Sequence, residues 1–140
     1  MLQDEQKQRV KAGFAALEGK LDEVVATFYE TLFELAPGVR PLFATDVGAQ
    51  RVKLASTLRL AVRSLDDLGA LVPALEAMGR RHVGYGAKPE HFAVVGQALI
   101  TALDHHAGGL DDADKEAWVA VYGILASTMQ RGMQSAEAAE

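Results

Sequence analysis

Four histidines are the side chains that could bind a metal or transfer protons near neutral pH: His82, His91, His105 and His106. His105 and His106 precede Gly108-Gly109 at a predicted helix end, where solvated imidazoles are typical. His91 is expected to be exposed on a first helical turn. No histidine belongs to a His-x-x-x-His or Glu-x-x-His pattern of the kind found in zinc and di-iron sites. His82 is therefore the one candidate for a metal ligand.

Composition excludes several other kinds of chemistry. The chain has no cysteine, which excludes a disulfide framework, a thiolate metal site and a cysteine nucleophile. It contains no serine in a nucleophile-elbow context and no glycine-rich phosphate loop. A net charge of −5 without a basic cluster argues against nucleic acid as a partner, because phosphate contacts need concentrated lysine and arginine.

His82 closes an apolar helical face. Leu71, Leu75, Met78 and His82 recur at helical spacing, so the imidazole is expected to point into the protein. On the helix alone, a core histidine that is hydrogen-bonded to a nearby carbonyl is the favoured interpretation. The alternative is a ligand to a metal that brings its own equatorial ligands. Haem is that case, since one axial imidazole suffices to hold it.

The elements that must position these residues are predicted to be helices. Apolar residues recur with a period near 3.6, strand signals are almost absent, and 140 residues suit one domain. The sequence predicts one all-α domain over residues 1–140 with six or seven helices and a frayed tail at about 135–140. The helix that carries His82 is predicted to begin at Asp66-Asp67, and the last helix at Asp111, Asp112 and Asp114.

The N-terminus and the hydropathy pattern bear on location. The first residues are polar and acidic, so no signal peptide is predicted, and no apolar run reaches the length of a membrane span. These features, with the lack of cysteine, fit a cytoplasmic protein.

A few aromatic and polar residues fall where a flat apolar cofactor would contact them. Phe28, Tyr29, Phe43 and Phe92 belong to this group, although Phe28 and Phe92 taken singly could simply fill the core. Tyr29 and Gln50 are more informative. Each lies at or beside an inward stripe, where a hydroxyl or an amide needs a partner.

Six segments together resemble a known family, although each alone is weakly specific. They are Thr27–Phe33, Pro41–Phe43, Gln50–Leu54, Gly79–His82, Lys88–Gly96 and Ala117–Gly123. In their order and spacing the chain resembles the globins, over nearly its whole length. It is similar to bacterial single-domain globins, including those of acidophilic methane-oxidising bacteria, and to the haem domain of flavohaemoglobins. The resemblance implies a globin fold, in which a three-on-three helical sandwich encloses haem b.

The resemblance also implies roles for individual residues. His82 matches the proximal iron ligand, whose second ring nitrogen would bond a carbonyl near Met78. Tyr29 and Gln50 match the distal tyrosine and glutamine. The other expected haem contacts include Phe43 stacked on the porphyrin, Leu54 over the iron, and Lys53 and Arg81 as propionate partners or simply exposed charges. The full set of these contacts is Phe28, Phe43, Lys53, Leu54, Met78, Arg81, Tyr85, Phe92, Val95 and Tyr122.

The implied function is tight, reversible oxygen binding at a pentacoordinate haem iron. Hydrogen bonds from Tyr29 and Gln50 to the bound gas would contribute on the order of 2–4 kcal/mol, or roughly 30- to 1000-fold in oxygen dissociation. Nitric oxide and carbon monoxide are further expected ligands. One alternative is nitric oxide dioxygenase activity that depends on an external reductase. Another is a gas sensor or a haem-free interaction domain. A monomer or weak homodimer is expected.

Two positions depart from the flavohaemoglobin pattern. Flavohaemoglobins place a tyrosine ten residues after the proximal histidine and a glutamate in the last helix, which together polarise the imidazole. Here those positions hold Phe92 and Met133. The resemblance therefore implies a weaker electron push from His82 and casts doubt on peroxidase-like activation.

Overall fold

Every regular element in the part of the chain that the structure describes is a helix. The computed structural model describes residues 3–42, 47–84, 88 and 90–139. The α-helices are α1 Asp4–Leu17, α2 Leu21–Leu35, α3 Val47–Arg63, α4 Val72–Gly84, α5 His91–His106 and α6 Asp112–Ala139. Short 3₁₀ helices span Glu18–Lys20, Pro37–Leu42 and Leu65–Leu71. The all-α prediction is therefore confirmed. None of the described helices combines the length and apolar character needed to cross a membrane.

The ends of α5 and α6 follow from local sequence signals. Asp111 Oδ1 accepts a hydrogen bond of 2.8 Å from the backbone N–H of Asp114, which caps α6 where the acidic cluster predicts its start. After α5, Gly108 and Gly109 have backbone φ angles of 75° and 109°, which residues other than glycine rarely adopt. The Gly109 N–H donates to the carbonyl of Asp104 at 2.9 Å and closes the helix. α6 extends to Ala139. The fraying of residues 135–140 stays a prediction.

The predicted start of the His82 helix at Asp66-Asp67 is wrong. Residues Leu65–Leu71 form a 3₁₀ segment, Asp67 has the non-helical angles φ −148° and ψ 60°, and α4 begins only at Val72. The Asp66 carboxylate does not cap α4, since it binds Lys11 of α1 at 2.7 Å, and this bond lowers the pKa of Asp66. The acidic pair thus begins the connecting segment rather than α4.

The packing of the helices leaves α3 and α4 on different partners. α2 packs on α5, α1 packs on α6, α3 packs on α2 and α1, and α4 packs on α6. Among the described residues, no extensive interface joins α3 to α4. The buried core is built from apolar residues that recur at helical spacing. It includes Val10, Phe14, Leu17, Leu21, Val25, Phe28, Tyr29, Leu32, Leu58, Leu99, Leu103, Trp118 and Val121.

Candidate ligand-binding site

His82 lies in the last part of α4 with its ring held by its own helix. The Nδ1 atom is 2.6 Å from the carbonyl oxygen of Met78, one turn earlier. Because a carbonyl oxygen only accepts, Nδ1 is the protonated nitrogen and donates. In the neutral ring the lone pair then lies on Nε2, the form in which an imidazole binds a metal. The hydrogen bond that the sequence predicts near Met78 is therefore present.

Tyr29 is a buried residue of α2 whose hydroxyl reaches α3. It donates a long hydrogen bond of 3.4 Å to the backbone carbonyl of Gln50. Burial raises the pKa of Tyr29 to about 12, against a smaller opposing effect of the positive charge of Arg51. The phenol therefore keeps its proton throughout the neutral range and acts there as a hydrogen-bond donor.

Gln50 and Leu54 occupy successive turns of α3 beside Tyr29. Both side chains are half-buried, and Leu54 packs against the core. The structure thus brings Tyr29 and Gln50 together, as the sequence predicts. The contact it shows uses the backbone carbonyl of Gln50 rather than the side-chain amide.

Apolar candidate residues on several helices are only partly buried. Met78 on α4, Phe92 and Val95 on α5 and Tyr122 on α6 all fall between buried and exposed. Phe28 differs, because it lies in the core with its ring edge-on to Tyr29 at a centroid distance of 4.9 Å. The first group could give a flat apolar ligand further contact area, whereas Phe28 already has its packing partners.

Tyr122 is tied to the backbone of α5. Its hydroxyl donates to the carbonyl of Phe92 at 2.7 Å, and burial raises the pKa of the phenol above its usual value. Its ring lies so close to Gly96 that a Cβ at Gly96 would be 2.7 Å from Cε2 of the tyrosine.

Met133 is almost fully buried. The positions of Phe92 and Met133 therefore carry neither the phenol nor the carboxylate of the flavohaemoglobin pattern.

The remaining candidate residues are exposed or undescribed. Lys53 and Arg81 lie at the surface, and neither forms an ion pair with a carboxylate in the described part of the chain. Phe43 and Tyr85 lie outside the described residues. Their expected haem contacts stay predictions.

Two observations bear on what kind of ligand could bind at His82. Among the described residues, no group of three or more histidine, aspartate or glutamate side chains could hold a bare metal ion. A groove of about 640 Å³ runs between the Leu65–Leu71 segment, α4 and α6. None of the candidate site residues lines this groove, so it is separate from the site around His82. A metal bound by His82 would therefore have to bring most of its own ligands, as haem iron does.

A comparison with protein families decides which family the chain belongs to. The family model described as Globin matches residues 26–129. This chain is a member of the globin family. The match covers α3, α4 and α5 entirely and includes His82, Tyr29 and Gln50.

Similar proteins agree with this assignment. A flavohemoprotein of Deinococcus radiodurans is 35% identical over 150 aligned positions, which cover 100% of this chain and 36% of the relative. A flavohemoprotein of Bacillus thuringiensis is 32% identical over 129 positions, covering 90% of this globin and 32% of the relative. This globin thus spans about a third of the length of these relatives.

Solved structures show the same fold. A bacterial globin of Campylobacter jejuni superposes with a TM-score of 0.85 at 26% identity, covering 95% of this chain and 97% of that one. An engineered carbene transferase derived from a proposed nitric oxide dioxygenase of Rhodothermus marinus has a TM-score of 0.89 at 29% identity. The alignment covers 99% of this chain and 98% of that protein. The predicted globin fold is confirmed.

Sequence reasoning did not single out two neighbours of the site. One is Arg51 of α3, whose positive charge acts on the Tyr29 phenol. Gly132 was not considered, although it lies buried where α6 meets α4. A glycine inside an otherwise regular helix was the available signal, because such a residue often marks a close approach of two backbones.

Proposed function

We propose that this globin binds haem b with His82 as the one protein ligand to iron, and binds oxygen tightly and reversibly with the help of Tyr29 and Gln50. The observation that carries this proposal is the 2.6 Å hydrogen bond from His82 Nδ1 to Met78 O, because it orients Nε2 for a metal. Membership of the globin family and the relatives named flavohemoprotein support haem as the group. When bound, haem supplies an iron that takes up diatomic gases.

Tyr29 and Gln50 are proposed to set the affinity for the gas. The raised pKa of Tyr29 keeps its hydroxyl protonated, so it can donate to a ligand that gains negative charge. Its bond to the Gln50 carbonyl, at 3.4 Å, is weak and costs little to replace by a shorter one. The Gln50 amide, one element away on α3, is proposed as the second donor. Together they would slow oxygen release by roughly 30- to 1000-fold.

Other residues are proposed to retain the macrocycle. Apolar side chains would cover its faces, and two exposed cations would meet its propionates at the surface. These residues are Phe28, Phe43, Leu54, Met78, Tyr85, Phe92, Val95 and Tyr122 for apolar contact, and Lys53 and Arg81 for the propionates. A cytoplasmic location, with oxygen, nitric oxide and carbon monoxide as ligands, completes the proposal.

Optical spectroscopy of the haem-loaded protein tests this proposal. We expect a Soret band, a pentacoordinate ferrous form, and a stable oxygenated form whose release rate in stopped flow is slow. A protein that takes up no haem would contradict the whole proposal. A protein that takes up haem but releases oxygen as fast as its Tyr29→Phe, Gln50→Leu variant would contradict only the role of the two polar residues.

Nitric oxide dioxygenation is a second candidate function. The similarity to a protein derived from a proposed nitric oxide dioxygenase favours it. The reaction combines one nitric oxide, one oxygen molecule and one electron to give nitrate, so each turnover needs an electron donor, which we propose to be an external reductase. Steady-state consumption of nitric oxide with a reductase present is the measurement. Consumption that stops after one equivalent per protein would contradict this function and leave oxygen binding intact.

A further inference from the structure

α4 and α6 cross at two buried glycines that face each other's backbones. A Cβ at Gly79 would overlap the carbonyl oxygen of Met129 and lie 2.8 Å from its carbonyl carbon. A Cβ at Gly132 would overlap the carbonyl oxygen of Glu76 and lie 2.7 Å from its carbonyl carbon. Cβ atoms essentially never come closer than 3.0 Å to a non-bonded heavy atom of another part of the chain, so neither position has room for any side chain.

The obstacles at both glycines are backbone atoms, which cannot rotate away as a side chain can. Glycine is unfavourable in a helix interior relative to alanine, because it loses more conformational freedom on folding. Gly123, on the exposed side of the same α6, has no described heavy atom within 4 Å of where its Cβ would be, apart from its chain neighbours and the adjacent backbone of α6. The two buried glycines are therefore the ones whose missing side chains determine how closely α4 lies on α6.

This crossing adjoins the hydrogen bond that orients His82. Gly79 directly follows Met78, whose carbonyl accepts from His82 Nδ1, and it lies three residues before His82 itself. A helix backbone moves as a unit over one turn. Any change in the separation of α4 and α6 at Gly79 therefore displaces both the Met78 carbonyl and the His82 ring.

We propose that Gly79 and Gly132 are positioning residues for the His82 imidazole. Through them the backbone of α6 sets the position of α4, and with it the distance and tilt at which Nε2 meets a metal. The inference rests on the proposed function of His82 as the iron ligand. Gly132 adjoins Met133, the position where flavohaemoglobins carry a glutamate. In this globin α6 thus acts on the imidazole through the placement of α4.

Two alanine variants and a matched control test the inference. Gly79→Ala and Gly132→Ala insert a methyl group from opposite sides of the crossing, and Gly123→Ala adds the same group to α6 at an open position. The measurements on haem-loaded protein are the iron–imidazole stretching band of the ferrous form by resonance Raman, the rate of haem transfer to an excess of an acceptor apoprotein, and the melting temperature.

We expect both crossing variants to shift or broaden the iron–imidazole band and to release haem about 10-fold faster or more, as is typical when the support of a metal ligand is altered. Gly123→Ala should change neither. Gly132→Ala is the stricter test, because its methyl group lies on α6 and can affect His82 only by displacing α4. If Gly79→Ala does not fold, the result for Gly132→Ala alone decides between a positioning role and a purely structural one.

A purely structural role would give a different result. In that case both variants would melt at lower temperature, while the band and the haem-transfer rate would equal those of Gly123→Ala. That outcome would overturn the inference and leave the proposed function standing. The absence of an iron–imidazole band from the unmodified protein would instead overturn the ligand role of His82, and this inference with it.

Discussion

His82 and Tyr29 are held by hydrogen bonds of different length and origin. On what we call the proximal side (α4 and α6, with His82), the ring donates at 2.6 Å to a carbonyl of its own helix, and glycines bring that helix onto the α6 backbone. On the distal side (α2 and α3, with Tyr29 and Gln50), the hydroxyl donates at 3.4 Å across two helices.

The difference indicates which side can adapt to a ligand. A short bond within one turn of a helix, beside a backbone contact, fixes the direction of an imidazole before any ligand arrives. A long bond between two helices contributes little by itself, so its replacement by a bond to a new acceptor costs little. Under the proposed function, the proximal side is thus preorganised, whereas the distal donors adjust to what binds.

Removal of the proximal ligand should have the largest effect. We expect His82→Gly to weaken haem binding by more than about 100-fold, since altered support of a ligand alone typically costs about 10- to 100-fold. Added imidazole should restore part of the Soret spectrum by filling the gap. Haem titration measures the affinity, with exposed His105→Gly as the control. Unchanged affinity in His82→Gly would show that another residue binds the iron.

Removal of the distal donors comes next. The double variant Tyr29→Phe, Gln50→Leu should release oxygen roughly 30- to 1000-fold faster, because two hydrogen bonds to the ligand are lost. Haem affinity should stay near that of the unmodified protein. Stopped-flow oxygen release is the measurement. Thr57→Ala is the control, because Thr57 lies two turns after Gln50 and its hydroxyl donates to the Lys53 carbonyl of its own helix. An unchanged release rate would remove the distal side from ligand binding.

Alkaline pH should weaken the distal side through Tyr29. Burial raises its pKa to about 12 in the folded protein, from an ordinary value of 10.0. The folded state therefore favours the neutral phenol more strongly than the unfolded state does. The stabilisation is complete below pH 10 and is lost as the pH rises toward 12. We expect the melting temperature of the unmodified protein to fall over this interval more steeply than that of Tyr29→Phe. Parallel curves would mean that the phenol is not buried as described.

Neutralisation of the exposed cations should have the smallest effect. Lys53→Ala and Arg81→Ala should each change haem affinity by less than about 5-fold, because exposed ion pairs contribute about 1 kcal/mol or less. Haem-transfer rates at low and high salt measure this. A larger, salt-sensitive loss in either variant would show that its propionate contact is more shielded from solvent than the surface position indicates.

Much of the fold could be predicted from the sequence, because its signals are local. The apolar residues Val10, Phe14, Leu17 and Leu21 recur at helical spacing and are buried. The acidic residues at Asp111 and Asp114 mark the start of α6, as predicted. The prediction failed at Asp66, whose carboxylate binds a lysine from another helix. An aspartate looks the same in the sequence whether its carboxylate caps its own helix or binds a distant cation. Only the tertiary packing determines which of these two partners it has.

The site was predictable to the extent that its contacts lie within one helix. The His82–Met78 bond, which the resemblance to globins implies, joins residues four apart on one helix. The Tyr29 hydroxyl meets a backbone carbonyl of α3, and Gly132 meets a backbone carbonyl of α4. Backbone atoms are the same at every position, so no residue type in the sequence could indicate those two partners.

The 3₁₀ segment Leu65–Leu71 has a consequence for how such a protein can change over generations. Its non-helical residue, Asp67, interrupts the chain between α3 and α4, and the two helices pack on different neighbours. A substitution that shifts α3 therefore has no continuous helix through which to move His82. Under the proposed function, substitutions in α2 and α3 can therefore change the rate of gas release over generations without changing how strongly α4 and α6 hold the haem.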